Sequence, residues 1–585
     1  MTIRAIAGLV GLNLLFVIAG AGVLWGIRGL RSWIDVVRLA GVAYLLGVAS
    51  LFIVLTAELV VGIPLGSASF AATAACLVLG GILVRRLRPE PEPTDAPREQ
   101  SGLHVSIGAA VFIGAAVVYF AALFRAGRLS DLGWDVWASW VPKAKAIYFS
   151  GGIDPELFAS LPGASYPPGL PALDAVAFHA MGSADAITLH LQYWFLAVGF
   201  MAAVFGLLSH RVRSTILLPA LLLLLLMPDV RNRATDLYGD IPLGYLVAVS
   251  AVLVLLWIRD AQTWRLMAVT ILLAGAMLTK REGILFALCL VVAALAATYG
   301  ERRRAWPRIA AAGAVALALA LPWRIWFIFE DLPSDAPESG YLGAFHHLDR
   351  AWPSHELVLR TLFDYDLWLL VPTLAIVAAG LAYIVGARRE AAFTLVFLGT
   401  SVVGSAWTLW ANPSLDLSGG DSLVNRVVGT PTLVLASILP LLLELAWRGR
   451  VALPGTPEAV RTGSAQPVRG AVAVAIVVAA LVAYPAVTLA KGGPSFPSSG
   501  DCVQAPVEGQ KVRVVFGYRD TYPEAMVLRD RSLGAGFQGT EVAQDGCGRV
   551  RVSVDGIPSV SVGEEIVREA RTVGLAPTLE LDPDA

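Results

Sequence analysis

Acidic residues stand beside the ends of two long apolar runs, where a carboxylate could act as a general base. Asp135 follows the apolar run 103–124, and Asp236 and Asp240 precede the run 241–258. A carboxylate held near an acceptor hydroxyl can take its proton while a new bond forms to the oxygen. The alternatives are a solvated acid for the first position and a helix N-cap for Asp240. The sequence leaves both interpretations open.

Cations near other apolar runs form a second chemical group. Lys280, Arg281 and Glu282 share the short turn LTKREG, while Arg324 and Arg426 flank two later runs. Cations of this kind could bind the phosphate of a lipid at the membrane surface, because guanidinium and ammonium groups donate strong hydrogen bonds to phosphate oxygens. The alternative is a set of ordinary charged turns without a ligand.

The histidines do not predict a metal site. His346, His347 and His355 lie in the segment 329–362, but adjacent histidines are a poor pair for one ion and no cysteine is nearby. The sequence also lacks a CxxC pair and a phosphate-binding glycine loop. We therefore expect neither a metal nor another cofactor.

The composition identifies the kind of protein that must position these residues. Hydrophobic residues make up 56% of the 585-residue chain and charged residues 15%, and the mean hydropathy is +0.68. A soluble domain usually carries about 25% charged residues. The 44 basic and 45 acidic residues nearly cancel, which gives no support for a nucleic-acid partner. The composition therefore indicates a membrane protein and excludes a soluble enzyme.

About fourteen apolar runs approach the length that a transmembrane helix needs. Arginines cluster in alternate connections, which we assign to the cytoplasm. The acidic and cationic residues above then face outward, and so does the C-terminal stretch. The predicted runs are 5–26, 38–62, 66–84, 103–124, 186–208, 214–228, 241–258, 264–279, 283–299, 308–328, 366–386, 391–410, 427–447 and 470–490.

One outward segment has the pattern of a short amphipathic helix. Lys143 and Lys145 lie within this segment, and its apolar residues can share one side of the helix: Trp134, Trp137, Trp140, Ile147 and Tyr148. Tryptophan and tyrosine favour the membrane interface, and lysines can extend from it to phosphate depth. The pattern is typical of an interfacial anchor with solvated acids within residues 131–153, and it leaves open the chemical role of Asp135 described above.

The tail differs from the rest of the chain because apolar and polar residues alternate in it. The pattern predicts a small α+β domain with the order strand, helix, strand, strand, helix, strand (βαββαβ). Residues 89–100 and 451–468 are expected to be linkers, because they are rich in proline, glycine and charge. The predicted tail elements are 511–518, 521–534, 537–543, 549–554, 560–573 and 577–581.

Four motifs in order resemble the GT-C glycosyltransferases, which are membrane enzymes that use sugars carried on a polyprenyl phosphate. They are GWDVWASWVPKAKAIY with YPPGLP around Tyr166, then DLYGDIPL, then LTKREG, then Asn425-Arg426 before a late helix. The resemblance covers about residues 103–448. It implies an all-α polytopic core of GT-C type at 101–448, preceded by transmembrane helices and a linker at 1–100. Residues 449–491 would add the last helix, and 492–585 an extracytoplasmic domain.

The resemblance also implies roles for single residues. Asp135 matches the acidic residue after the family's first core helix, Asp236 and Asp240 match its second acidic loop, and Lys280 and Glu282 match its Lys-x-Glu turn. We expect Asp135 to be the general base, and Lys280, Arg281, Arg324 and Arg426 to bind the donor phosphate. Tyr166, Asn425 and Glu282 belong to the same motifs.

These roles predict an enzyme that moves a sugar from a polyprenyl phosphate to a glycan, lipid or protein acceptor of the cell envelope. The expected location is the outer face of the cytoplasmic membrane, in contact with membrane lipids. One alternative is a transporter or lipid flippase, which would need ionisable residues at mid-membrane depth. The other is a non-catalytic scaffold that binds envelope glycan.

The tail resembles a SPOR-like domain through AGFQGTEVAQDGCGRVRVSVDG, which implies possible contact with peptidoglycan. Cys502 and Cys547 are the two cysteines outside the apolar runs. If the tail lies in an oxidising compartment, we expect these two cysteines to form a disulfide. The alternative is a pair of unbridged thiols.

Overall fold

The computed structural model divides the chain into two compact units, Met1–Val482 and Ala483–Ala585. Each unit is described by itself below. The structure describes residues 2–30, 32–87, 107–127, 132–133, 135–334, 340–412, 422–451, 511–519, 522–534, 537, 539–544, 550–572, 575 and 577–582.

The described part of the first unit is helical. A π-helical turn, Val136–Trp140, leads directly into α5, and short 3-10 turns occupy Tyr299–Glu301, Tyr341–His346 and Leu348–Arg350. The helices are α1 Ile3–Ile27, α2 Trp33–Val60, α3 Ser67–Leu87, α4 Ile107–Gly127, α5 Val141–Ser150, α6 Pro155–Ser160, α7 Gly169–Met181, α8 Ala186–Leu208, α9 Ser214–Leu226, α10 Pro228–Arg233, α11 Asp240–Asp260, α12 Thr263–Thr279, α13 Glu282–Ala297, α14 Arg302–Phe329, α15 Ala351–Leu362, α16 Tyr365–Trp368, α17 Val371–Ile384, α18 Arg388–Trp410 and α19 Ser422–Val451.

Eight helices in the described residues are long and apolar enough to cross a membrane: α1, α2, α3, α8, α11, α14, α18 and α19. Four further apolar helices, α9, α12, α13 and α17, are shorter, as is the apolar stretch Val111–Gly127 within α4. The membrane character predicted from composition is thus confirmed, whereas the expected number of spans is not. The predicted run 470–490 lies outside the described residues, as do the predicted linkers 89–100 and, apart from Val451 at the end of α19, 451–468.

The predicted run 366–386 is interrupted in the structure. Leu369 has a φ of 55°, which a leucine rarely adopts, and it separates α16 from α17. Pro372 then occupies the first turn of α17, where a missing backbone N–H costs nothing. The apolar pattern continues across this break because Trp368, Leu369 and Val371, which lie beside it, are buried.

The three N-terminal helices are built into the same unit as the later ones. Helix α2 packs against both α8 and α12 as well as α1. At the crossing of α1 and α2, a Cβ atom on Gly20 would lie 1.7 Å from the carbonyl oxygen of Ala43. Such contact between backbones requires glycine and is typical of membrane helix pairs.

A buried polar cluster also links these helices to α8. Tyr44 Oη donates to Asn13 Oδ1 over 2.6 Å, and Asn13 Nδ2 donates to Gln192 Oε1 over 2.8 Å. Asn13, Tyr44 and Gln192 are all buried. Since an unpaired polar group is costly in an apolar interior, this triad fixes the arrangement of α1, α2 and α8.

The second unit has the predicted order of elements, which is confirmed. Its four-stranded sheet has the order β2-β3-β1-β4, and all neighbouring strands are antiparallel. Val512, Val514 and Phe516 of β1 form a core with residues of both helices. The elements are β1 Val512–Arg519, α20 Tyr522–Gly534, β2 Glu541–Gln544, β3 Val550–Ile557, α21 Val560–Thr572 and β4 Thr578–Leu581.

The second strand of the tail begins later than predicted. Strand β2 starts at Glu541, whereas the alternating pattern predicted a start at 537. The Phe537 backbone N–H donates to the carbonyl of Ser532, and Thr540 Oγ1 donates to the carbonyl of Phe537. These bonds form a turn after α20, so Phe537 contributes an apolar side chain to the core without pairing in the sheet.

Candidate active site

Asp240 lies at the centre of a buried ion network. As the first residue of α11, it receives Lys280 Nζ on Oδ1 at 2.7 Å and Arg426 Nε on Oδ2 at 3.0 Å. No backbone N–H in the described part of the chain bonds to its side chain, and Gly239 precedes the helix. The N-cap interpretation of Asp240 is therefore wrong, since both carboxylate oxygens are used by cations from other helices.

Arg426 connects this acid to Asp135. Arg426 Nη1 lies 2.5 Å from Asp135 Oδ2, and its guanidinium carbon lies 4.6 Å from the centre of the Tyr238 ring. The Arg426 side chain is 13% exposed, whereas Asp135 is 25% exposed. Asp135 is thus the member of this chain of charges that a ligand could reach most readily, and it has an ion-pair partner that the sequence did not reveal.

Lys280 is placed by the break between α12 and α13. Its extended backbone ends α12, and its carbonyl accepts the N–H of Gly283, so α13 starts immediately. Besides Asp240, Lys280 Nζ contacts Glu282 Oε1 at 3.2 Å. Burial by itself would lower the pKa of Lys280, but the carboxylates of Asp240 and Glu282 raise that pKa above its ordinary value. Lys280 therefore carries a permanent charge.

Tyr166 packs where three of these segments meet. Its ring stacks on Trp140 with the ring centres 5.2 Å apart and the planes 6° from parallel. Lys280 Nζ lies 5.5 Å from the Tyr166 ring centre, and the guanidinium carbon of Arg281 lies 5.4 Å from it. Burial raises the pKa of Tyr166, which keeps the phenol neutral. The ring thus separates the two cations of the turn from the π-helical segment after Asp135.

Lys143 packs near this aromatic pair, and the interfacial position expected for it from the sequence is wrong. It is fully buried, its Nζ donates to the carbonyl of Gly163 over 2.5 Å, and it lies 5.4 Å from the Phe158 ring. Trp140 is also fully buried, whereas Trp137 is 54% exposed. The expected interfacial anchor is therefore wrong for Trp140 and Lys143, which hold the loop carrying Tyr166.

Arg281 and Arg324 lie beside the network. The guanidinium of Arg324, near the end of α14, lies within electrostatic range of Arg281 and Glu282. Arg324 is half-buried and makes no ion pair with any residue that the structure describes. Arg324 therefore adds a positive charge to this edge of the site.

Asp236 lies near the network but makes no ion pair with a described residue. Asn425 is neutral and precedes Arg426 in the chain. Burial raises the pKa of Asp236 to about 6, against the opposing effect of Arg233. The carbonyl of Asn425 accepts a hydrogen bond from Arg233 Nη2 over 3.3 Å, and Arg233 also pairs with Asp229. Asn425 therefore contributes its backbone here, and Asp236 is an acid whose charge changes near neutral pH.

The structure brings most of the predicted site residues together. Asp135, Asp240, Lys280, Glu282 and Arg426 form one chain of ion pairs whose charges add to minus one. Arg281 adjoins it through the Tyr166 ring and restores neutrality. Such a fixed set of charges requires little rearrangement when a charged ligand reacts, which is the property of a preorganised site.

Two groups of residues considered in the sequence do not join this site. Cys502 and Cys547 lie outside the described residues. His346, His347 and His355 lie in the described part, where no group of three His, Cys, Asp or Glu side chains has an arrangement that suits a metal. Among the described residues, the acids of the network are bonded to cations.

The functional assignment depends on these residues, because comparisons with known proteins add nothing to it. No protein-family model, no curated protein and no solved structure matches the chain.

Proposed function

We propose that the chain is a membrane glycosyltransferase that uses a sugar carried on a polyprenyl phosphate. The observation that carries the proposal is the ion network itself, which joins acids and cations from four separate motifs at the ends of membrane-type helices. The motifs that resemble the GT-C enzymes are the same segments that supply these side chains. The acceptor would be a glycan, lipid or protein of the cell envelope, on the outer face of the cytoplasmic membrane.

Asp135 is the general base in this mechanism. The acceptor oxygen forms a bond to the anomeric carbon while the bond from that carbon to the phosphate oxygen breaks, and the acceptor proton passes to Asp135. The electron pair of the broken bond leaves with the polyprenyl phosphate. Arg426 fixes the carboxylate by a 2.5 Å contact, and the exposed part of Asp135 stays available to the acceptor.

The network favours different roles for the cations from those expected from the sequence. Lys280 and Arg426 are each balanced by two carboxylates, so a phosphate placed on them would also meet Asp135 or Asp240. Arg324 makes no ion pair with a described residue and lies within electrostatic range of Arg281. We therefore assign the donor phosphate to Arg324, and the holding of the acids to Lys280 and Arg426.

A purified-protein assay tests the proposal directly. The full chain in liposomes would receive a panel of polyprenyl-phosphate hexoses and pentoses together with an envelope lipid extract, and release of polyprenyl phosphate would be measured. We expect release from at least one donor, and a loss of at least 100-fold in rate for Asp135→Asn. Glu356→Gln is the matched control, because Glu356 is an exposed acid outside the network.

A second variant tests the division among the cations. Arg324→Gln should raise the donor concentration needed for half-maximal rate about tenfold or more, since a charge-assisted hydrogen bond is worth roughly 1.5–3 kcal/mol. Its thermal stability should remain close to that of the parent protein, because Arg324 makes no ion pair with a described residue.

Near-normal transfer by Asp135→Asn would contradict the mechanism, and passage of lipid-linked sugar across the bilayer without sugar release would favour a flippase.

A further inference from the structure

A short segment after α14 presents apolar side chains that the rest of the described chain does not cover. It comprises the 3-10 turns Tyr341–His346 and Leu348–Arg350 together with α15, and we call residues 341–363 the surface element. Leu342 is 75% exposed and Trp352 is 69% exposed. A surface in water seldom carries so many large apolar side chains within one short segment. The other exposed apolar residues are Tyr341, Phe345, Leu348, Leu359 and Phe363.

One side of α15 is packed inside the protein. Ser354, Val358 and Leu362 follow one another at intervals of four positions, and all three are buried. Residues at this interval lie on the same side of a helix. The helix contacts α18 and α19, so its buried side faces these two helices. The packing of α15 within the protein is therefore accounted for without its exposed apolar residues.

The exposed apolar residues of α15 form a second stripe, which we call the free stripe. Trp352 and Leu359 are seven positions apart, and Phe363 follows after four more, so the three lie on one side of the helix. Glu356 and Arg360 are exposed beside this stripe. An apolar stripe bordered by exposed charges is the pattern of a helix that lies in the surface of a membrane.

Hydrogen bonds hold the surface element level with the end of a membrane-type helix. Trp410 is the last residue of α18, and its Nε1 donates to the carbonyl of His347 over 2.7 Å. Trp407 Nε1 donates to the carbonyl of Tyr341 over 3.1 Å, and its ring centre lies 5.1 Å from that of Phe345. Tryptophans at helix ends mark the boundary between the apolar part of a membrane and its headgroups. The turns of the surface element are thus fixed at that depth.

We propose that the surface element lies in the headgroup layer of the membrane and inserts its exposed apolar side chains into the adjacent leaflet. Helix α15 has 12 residues and is therefore about 18 Å long, which is too short to cross a hydrocarbon core of roughly 30 Å. Glu356 and Arg360 remain among the headgroups. This position requires only the membrane character of the chain, and the sugar-transfer reaction proposed above plays no part in it.

Thiol labelling of the full chain in phosphatidylcholine liposomes tests this position. Leu359→Cys puts a thiol on the free stripe, and Arg360→Cys puts one on the charged side of the same helix. We expect the thiol at position 359 to react with a water-soluble maleimide roughly tenfold more slowly, because a side chain below the headgroups meets little of the reagent. Peptide mass spectrometry separates the new thiols from the native cysteines. After denaturation in SDS the two rates should be similar, and equal rates in liposomes would overturn the proposal.

A photoreactive residue identifies what covers the free stripe. A diazirine amino acid at position 352 should form adducts with phosphatidylcholine acyl chains. The same amino acid at position 301, where the side chain of Glu301 is 55% exposed, should react mainly with water. Cross-links from position 352 to a second copy of the chain, or water adducts as frequent as at position 301, would overturn the proposal. The two measurements use different positions, so a single variant that fails to fold does not remove the test.

Discussion

The pair Lys280–Asp240 permits a quantitative test of the ion network. The two side chains are 1% and 5% exposed and their charged atoms lie 2.7 Å apart. Removing one partner of a buried pair leaves an uncompensated charge, which costs about 3–5 kcal/mol. Lys280→Met should fall near the lower end of that range, about 3 kcal/mol, because Asp240 retains its contact with Arg426.

The double variant Lys280→Met/Asp240→Asn should be more stable than the sum of the single effects predicts. It removes one positive and one negative charge, so the remaining ions Asp135, Glu282, Arg281 and Arg426 stay balanced. We expect a coupling free energy of about 1–3 kcal/mol from the double-mutant cycle. The free energy of unfolding would be measured by SDS titration of the purified protein in mixed micelles.

The chain offers a matched control in a second ion pair with the same separation. Arg389 Nη2 and Glu301 Oε1 also lie 2.7 Å apart, but their side chains are 47% and 55% exposed. Exposed pairs contribute roughly 0–1 kcal/mol, so Arg389→Met should cost at most about 1 kcal/mol. If Lys280→Met and Arg389→Met cost the same, the electrostatic argument for the network is refuted.

Two other predictions concern the acid Asp236 and the tail. Burial raises the pKa of Asp236 from 3.8 to about 6, so the folded state binds this proton more tightly and loses stability as pH rises from about 4 to about 6. Asp236→Asn should leave thermal stability unchanged at pH 4 and raise it above pH 6, by at most roughly 3 kcal/mol; equal effects at both pH values would contradict this. Cys502 and Cys547 should resist thiol labelling under denaturing conditions until reduced, and labelling of both without reduction would exclude the disulfide.

The positions of most of the longer apolar helices and the order of the tail followed from sequence because they depend on local patterns. An apolar run of sufficient length predicts a membrane helix wherever it occurs, and alternation in the tail predicted its strands. The turn at Phe537 was missed because an apolar residue that fills a core from a turn has the same pattern as a strand residue. Leu369 was missed because nothing in its chemistry signals a positive φ.

The error at Trp140 and Lys143 has a general cause. An amphipathic pattern shows that one side of a helix is covered, but it does not distinguish lipid from protein as the covering. Lys143 instead donates a hydrogen bond to the carbonyl of Gly163 inside the protein. Because Lys143 is buried, its contact with the loop that carries Tyr166 is structural. In the sequence, only the position of Lys143 shortly before the YPPGLP segment could have indicated this contact.

The partners within the site could not be predicted because they are distant in the chain. Arg426 and Asp240 are 186 positions apart, and Lys280 and Asp240 are 40 apart. Their predicted positions on the same side of the membrane indicated that they could meet, but those positions did not indicate which acid would pair with which cation. The positive residues at the predicted outer ends therefore suggested a phosphate as their missing anion. The structure supplies carboxylates of the same chain to two of them, Lys280 and Arg426. A cation at a helix end thus indicates that an anion is required nearby, and only the three-dimensional arrangement determines whether the protein or a ligand provides it. On this reasoning, the residue that still favours an external anion is Arg324, which makes no ion pair with a described residue.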